Sequence, residues 1–201
     1  MQMRMDEQSL AKITAAVTDA EKRTSGEIVV VIAERSGRYQ EARAVFALVA
    51  SSVATLAAVV IDPDIHASWL LLNGFVALAA YAIASVPMFA RFLVDGDHRA
   101  KAVASAAKLA FVDRGVHRTR DRSGVLVYLS LLERRVQIIG DENVHKVVGD
   151  DGWKKYVARI VEDPAATAAV VADIGALLAG SFPRRADDKN ELPDAVVVQR
   201  G

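Results

Sequence analysis

From Ala44 to Ala90 the chain carries no Lys, Arg or Glu, and its only acids are Asp62 and Asp64. This apolar stretch divides into Ala44–Ile61 and Trp69–Ala90, separated by Asp62-Pro-Asp-Ile-His-Ala-Ser68. As helices rising about 1.5 Å per residue, the two segments reach roughly 27 and 33 Å, close to the ~30 Å of a bilayer's hydrocarbon core. The link between them, with a proline and two acids, reads as a tight turn in water. Two helices buried in a soluble core would need covering on every side, and a chain of 201 residues has little material for that. The sequence therefore predicts a transmembrane helical hairpin whose first partner is the lipid bilayer. Small residues four apart (Ala47, Ser51 and Thr55; Ala50, Ala54 and Ala58) let the two helices approach closely. Asn73 has two readings, a hydrogen bond across the pair or one toward another chain. Pro87 is placed to kink the second helix.

Flanking charge sets the expected orientation. Arg35, Arg38 and Arg43 precede the first span, Arg91, Arg99 and Lys101 follow the second, and the link has no basic residue. Both long flanks are thus expected in the cytoplasm, in a multi-pass protein of the bacterial inner membrane with cytoplasmic N- and C-termini. The first ten residues contain no apolar run of the signal-peptide kind. Three segments follow: 1–43 and 91–201 as two parts of one cytoplasmic domain, and 44–90 as the anchor (spans 44–61 and 69–90).

Outside the anchor, residues 6–24 place Leu10, Ile13, Ala16, Val17 and Ala20 at helical spacing. Glu27–Ala33 is a β-branched run typical of a strand buried on both faces. Residues 97–112 read as a helix capped by Asp97 and stopped by Gly115. Gly124–Leu131 and Arg135–Ile139 form an antiparallel hairpin, because Leu132-Glu-Arg134 is too short for a crossover. Helices are expected at about 152–161, capped by Asp150 or Asp151, and at 164–179. Ala195–Val198 is an edge strand or an extended docking segment. The fold class is α/β, a three-layer mixed sheet flanked by helices and interrupted by the hairpin, with the first two strands parallel if adjacent.

In this topology the sheet edge away from the membrane gathers the start of the first strand, the approach to the second and the end of the third. Glu27, Asp121, Asp141 and Glu142 fall there, and the cap at Asp150 lies nearby. Such carboxylates suit a hard cation, Ca²⁺ or Mg²⁺. Strand ends and helix caps also attract acids for purely structural reasons. Arg118, Arg120 and Arg122 beside Asp121 read either as an anion-attracting group or as a solvated loop.

The run Arg118-Thr-Arg-Asp-Arg-Ser-Gly-Val-Leu-Val-Tyr-Leu-Ser130, followed by Glu133-Arg-Arg-Val-Gln-Ile-Ile-Gly-Asp141, Trp153, Phe182-Pro183 and Asn190-Glu-Leu-Pro-Asp194, resembles the TPM domain in its bacterial membrane-protein branch. Ser25-Gly-Glu-Ile-Val-Val30 is similar to that family's first strand. The likeness spans about 150 residues, everything but the hairpin, and rests on the joint order of its motifs. One position departs: Ser123 stands where many members carry Asn. The resemblance implies a mixed sheet flanked by helices and an acidic cation-binding region. It also implies roles such as assembly or repair of membrane complexes, and a divalent-cation-dependent acid phosphatase activity in some members.

Lys plus Arg and Asp plus Glu balance at 25 each, which argues against nucleic acid as a partner. The absence of Cys removes thiolate nucleophiles, cysteine-ligated metals and disulfides. No glycine-rich nucleotide motif is present, so no organic cofactor is expected. No two of His66, His98, His117 and His145 show ligand spacing, and Ser130 in a buried strand is a poor nucleophile. Asp95-Gly-Asp97-His98 suits a helix cap better than a metal. Asp62 and Asp64 share only their spacing with phosphotransfer motifs. Two functions result: a membrane-anchored adaptor or accessory factor for membrane-protein assembly, repair or maintenance, acting on other membrane proteins; or a divalent-cation-dependent phosphatase-like hydrolase.

Overall fold

The computed structural model describes residues 5–61, 68–86, 89 and 94–199. The chain divides into two compact units, Met1–Ser36 with Ala100–Gly201, and Gly37–Arg99. Asp62, Asp64, His66, Pro87 and Arg91, singled out above, lie outside the described residues.

The larger unit is built on a four-stranded mixed sheet in the order β3-β2-β1-β4. Strands β1 (Ile28–Ala33) and β2 (Val125–Ser130) run parallel, with Ile28 opposite Val125 and Ala33 opposite Ser130. Strand β3 (Arg135–Gly140) returns antiparallel to β2, and the short β4 (Val197–Gln199) lies parallel to β1 on its other side. The tail segment is therefore an edge strand. Both central strands are buried along their whole length, as their continuous β-branched runs require. Alternate residues separate onto two faces. Ile28, Val30, Ile32, Val125, Val127 and Leu129 join one core, and Val29, Val31, Ala33, Leu126 and Tyr128 join a second on the opposite face.

Helices cover both faces. On the first lie α1 (Glu7–Glu21), α6 (Lys154–Glu162) and α7 (Thr167–Ser181), contributing Ile13, Val17, Ile160, Ile174 and Leu178. Helices α1 and α7 approach closely because Gly175 has no side chain; a Cβ there would lie 2.4 Å from the Ala20 Cβ. On the second face, α4 (Gly96–Asp113) supplies Val103, Ala107 and Ala110. It ends at Gly115, whose φ of 71° is the left-handed stop that glycine favours.

Three local expectations need correction. A helix not anticipated, α5 (Glu142–Gly152), follows β3 directly and is capped by Asp141, whose carboxylate accepts the Glu142 N–H. Asp150 and Asp151 consequently sit at the end of α5, and α6 begins at Lys154 with no side-chain cap. The chain bends at Gly149 (φ 65°), so one short, polar, glycine-interrupted stretch hides a helix from periodicity. Asp97 stands in the first turn of α4; the Asp95 carboxylate accepts its N–H at 3.3 Å.

The smaller unit contains α2 (Gln40–Ile61) and α3 (Ser68–Ser85), packed on each other. Along α2 the shielded or half-shielded positions include Ala47, Ala50, Ser51, Ala54, Thr55 and Ala58, the small-residue stripes read in the sequence. Asn73 Nδ2 donates to Thr55 Oγ1, linking the two helices. Leu48, Val49, Val53, Leu56, Val60, Phe75, Leu78 and Ile83 are exposed. Among the described residues, two helical segments are long and apolar enough to cross a membrane, and they differ in burial. Gln40–Ile61 has a mean hydropathy of 2.5 and is 6% buried over its most apolar window; Pro164–Ser181 has 1.4 and 33%. The second is the core helix α7, with Val170, Val171, Ile174 and Leu178 fully enclosed.

Candidate functional site

The sheet edge that gathers the start of β1, the start of β2 and the end of β3 forms as its topology requires. Val125 N–H donates to Glu27 O, and Asp141 N–H to Gly124 O, both at 2.8 Å. The acids along it do not converge. Glu27 is 4% exposed and turns toward the C-terminal segment, its carboxylate accepting the Glu191 N–H (3.1 Å) and Leu192 N–H (3.3 Å). Burial pushes the Glu27 carboxyl above its usual range, although these two amides oppose the shift. Asp121 Oδ2 pairs with Arg185 Nη2 and accepts from Ser25 Oγ at 3.4 Å. Asp141 caps α5 with Oδ1, while its buried Oδ2 has no hydrogen-bond partner. Glu142 points outward to Lys146 Nζ at 2.9 Å, which holds its carboxyl below the ordinary range. Asp150 lies on α5, and its side chain is outside the described residues.

Among the described residues no group of three or more His, Asp or Glu side chains is arranged to hold a metal ion. Asp141 Oδ2 is a single orphaned oxygen. The remaining described acids of the expected set face amide, hydroxyl, ammonium or guanidinium donors, so as placed they do not fit a cation.

Three features stand out instead. The first is an open cleft of about 470 Å³ lined by Arg120, Arg122, Arg185, Asp121, Asn143 and Phe182 among others. Of the three arginines noted in the sequence, Arg120 and Arg122 reach it, Arg118 is not part of its lining, and Arg185 joins them from the segment after α7. Arg122 is one of two non-glycine residues with positive φ (50°) among the described residues, a backbone state that needs support from its surroundings. Its carbonyl accepts the Asn143 N–H at 3.2 Å, and Asn143 Nδ2 donates to Asp121 O at 2.8 Å. Helix α5 thereby holds the arginine loop.

The second feature is a carboxyl cluster around the tail. Glu21 Oε1 accepts the Ile28 N–H at 2.9 Å, and Oε2 is buried without receiving a hydrogen bond. Burial, with the nearby negative charges of Glu27 and Asp194, pushes the Glu21 carboxyl up to about 9, against the pull of the Ile28 amide. Asp194 moves the other way: despite partial burial, hydrogen bonds from Thr18 and Asn190 hold it below its usual range. Glu21 was legible as an oddity, because it continues the apolar i, i+4 series of Ile13 and Val17.

The third feature is a polar latch at the other end of β2. Glu133, 2% exposed, accepts the Ser36 N–H at 3.1 and 3.2 Å and the Ser130 hydroxyl. The Ser36 hydroxyl in turn donates to Ser130 Oγ at 2.7 Å. Ser130 is therefore a structural hydroxyl beside a carboxylate, and its described hydrogen-bond partners are Ser36 and Glu133.

The fold defines a class, a mixed α/β domain with helices on both sheet faces and an apolar helix pair between its first two strands. No protein-family model matches the chain, and no curated protein does. The solved NMR structure of the BA42 protein from the psychrophilic bacterium Bizionia argentinensis is similar, with a TM-score of 0.59 and 20% identity over 100% of this chain and 98% of that one. At that identity the likeness concerns the fold alone.

Proposed function

We propose that the chain is a membrane-anchored, TPM-like accessory protein that acts on other membrane proteins in their assembly, repair or maintenance, with its α/β domain in the cytoplasm. The observation that carries this reading is the apolar exterior of α2 and α3. Helix α2 alone spans 22 residues, roughly 33 Å, and its outward Leu48, Val53, Leu56 and Val60 are 61–74% exposed. Such a surface needs lipid or protein around it. Ala47, Ala50, Ser51, Ala54, Thr55 and Ala58 take shielded or half-shielded positions of α2, with Thr55 bonded to Asn73 of α3, which leaves the large branched and aromatic side chains for lipid or client helices.

The phosphatase-like reading has less support. It requires Asp121, Asp141 and Glu142 to converge on one cation, and their carboxylates are engaged with different intrachain donors. The deciding experiment places a photo-crosslinking amino acid at Leu48, Val53 or Leu56 in cells. Discrete adducts with membrane proteins are expected. Lipid adducts alone, or recovery of the chain in the soluble fraction, would refute the accessory role or the anchor respectively.

A further inference from the structure

We propose that the arginine cleft is a docking site for carboxylate side chains of an acidic segment in a protein partner, and that Asp187 of the chain's own tail occupies part of it. This deepens the accessory-protein reading by naming the chemistry of the partner, and rests on that reading only for the partner being a protein. The cleft assembles three guanidinium groups from two distant stretches, Arg120 and Arg122 before β2 and Arg185 after α7. The Asp187 carboxylate spans two of them, with Oδ2 at 3.1 Å from Arg120 Nη1 and Oδ1 at 4.0 Å from Arg185 Nε. The Asp187 carboxylate thus already hydrogen-bonds one guanidinium and lies within ion-pair reach of a second, whose Nη2 is paired with Asp121.

The occupant is weakly held. Arg120 and Asp187 are 60% and 66% exposed, and exposed pairs of this kind contribute little. Arg122 is less neutralised still: its Nη1 donates to His117 O at 2.9 Å and lies 3.8 Å from Asp141 Oδ1, and no described contact uses its other nitrogens. Phe182 and Pro183 give the cleft an apolar wall against which the methylenes of a Glu side chain fit. An incoming acidic segment would replace Asp187 with a like group and add a carboxylate at Arg122.

The test uses the full chain in detergent micelles and a fluorescein-labelled hexapeptide of alternating glutamate and glycine, read by fluorescence anisotropy. Asp187→Asn is expected to bind the peptide about two- to fivefold more tightly, the range that loss of one exposed competing pair allows. Asp19→Asn removes the same charge away from the cleft and is expected to change nothing. The double variant Arg122→Gln, Arg185→Gln is expected to lose at least about tenfold. Equal or weaker binding by Asp187→Asn overturns the proposal, as does retained binding in the double variant or equal binding of the glutamine counterpart peptide. Displacement of the peptide by inorganic phosphate at lower concentration than by glutarate would also overturn it, assigning the cleft to phosphate. Asp187 is exposed and its replacement leaves the fold intact, so the test does not depend on the double variant folding. Failure here leaves the cross-linking result untouched, and failure of cross-linking leaves this one untouched.

Discussion

Glu21 is held protonated near neutral pH, and that has a measurable consequence. Its folded-state value of about 9 lies above the ordinary 4.5 because its carboxyl is buried and faces the charges of Glu27 and Asp194. Between those two values the folded chain keeps a proton that the unfolded chain has released, so stability falls as pH rises. One proton of difference corresponds to about 1.4 kcal/mol per pH unit, or about 3 kcal/mol between pH 6 and pH 8. Glu21→Gln is a permanent analogue of the neutral acid, able to accept from the Ile28 N–H without ionising. Its stability relative to wild type should therefore grow by about 3 kcal/mol over that interval, a melting difference of about 6–12 °C for a chain of this size. Melting of both proteins in the same detergent, followed through Trp153 fluorescence, provides the assay. Contributions from the histidines and from micelles cancel in the difference. Parallel pH profiles for the two proteins, or a variant less stable than wild type at pH 8, would show that Glu21 is ionised in the folded chain and that the tail cluster has been misread.

Three other perturbations follow from the same structure. Gly124→Ala would bring a Cβ to 2.3 Å from Val116 O and 2.7 Å from its Cγ1, an overpacking expected to cost about 1–3 kcal/mol and readable as a lower melting temperature. Glu133→Ala removes the acceptor of the Ser36 N–H and of the Ser130 hydroxyl; charged hydrogen bonds of about 1.5–3 kcal/mol are lost, and hydrogen exchange at the Ser36 amide should accelerate, so unchanged protection would disprove the latch. Thr55→Val deletes the acceptor of Asn73 between α2 and α3 and should weaken the helix pair by about 0.6–1.7 kcal/mol, measured by detergent-dependent melting.

The strands were readable because burial on both faces leaves an unbroken β-branched run, and Ile28–Ala33 and Val125–Ser130 fall within a residue or so of the segments the runs mark. Parallel pairing of β1 with β2 followed from the long connection, and antiparallel return of β3 from the short one. Helix α5 was not readable: Glu142–Gly152 is polar and interrupted by Gly149, and its cap, Asp141, looks in sequence like one more acid at a strand end. The same ambiguity governed the whole acidic set. A carboxylate that caps a helix, one that accepts tail amides and one that binds a cation are identical letters, and only the position of the donors separates them. Arg185 and Asp187 were equally hidden, because nothing local ties a segment after α7 to a loop more than sixty residues earlier.

That separation by donors also explains why the tail matters more than its three-residue strand suggests. Glu27 accepts the Glu191 and Leu192 amides, Thr18 donates to Asp194, Arg120 N–H donates to Glu191 Oε2 at 2.9 Å, and Asp187 bridges the cleft arginines. The Asn190-Glu-Leu-Pro-Asp194 segment is thus the common element linking the start of β1, the C-terminal half of α1 and the arginine loop before β2. Carboxylates that a cation would otherwise recruit are here spent on backbone amides and guanidinium groups that fix the tail in place. Displacing Asp187 from the cleft would pull on the same segment whose Glu191 and Leu192 amides Glu27 accepts.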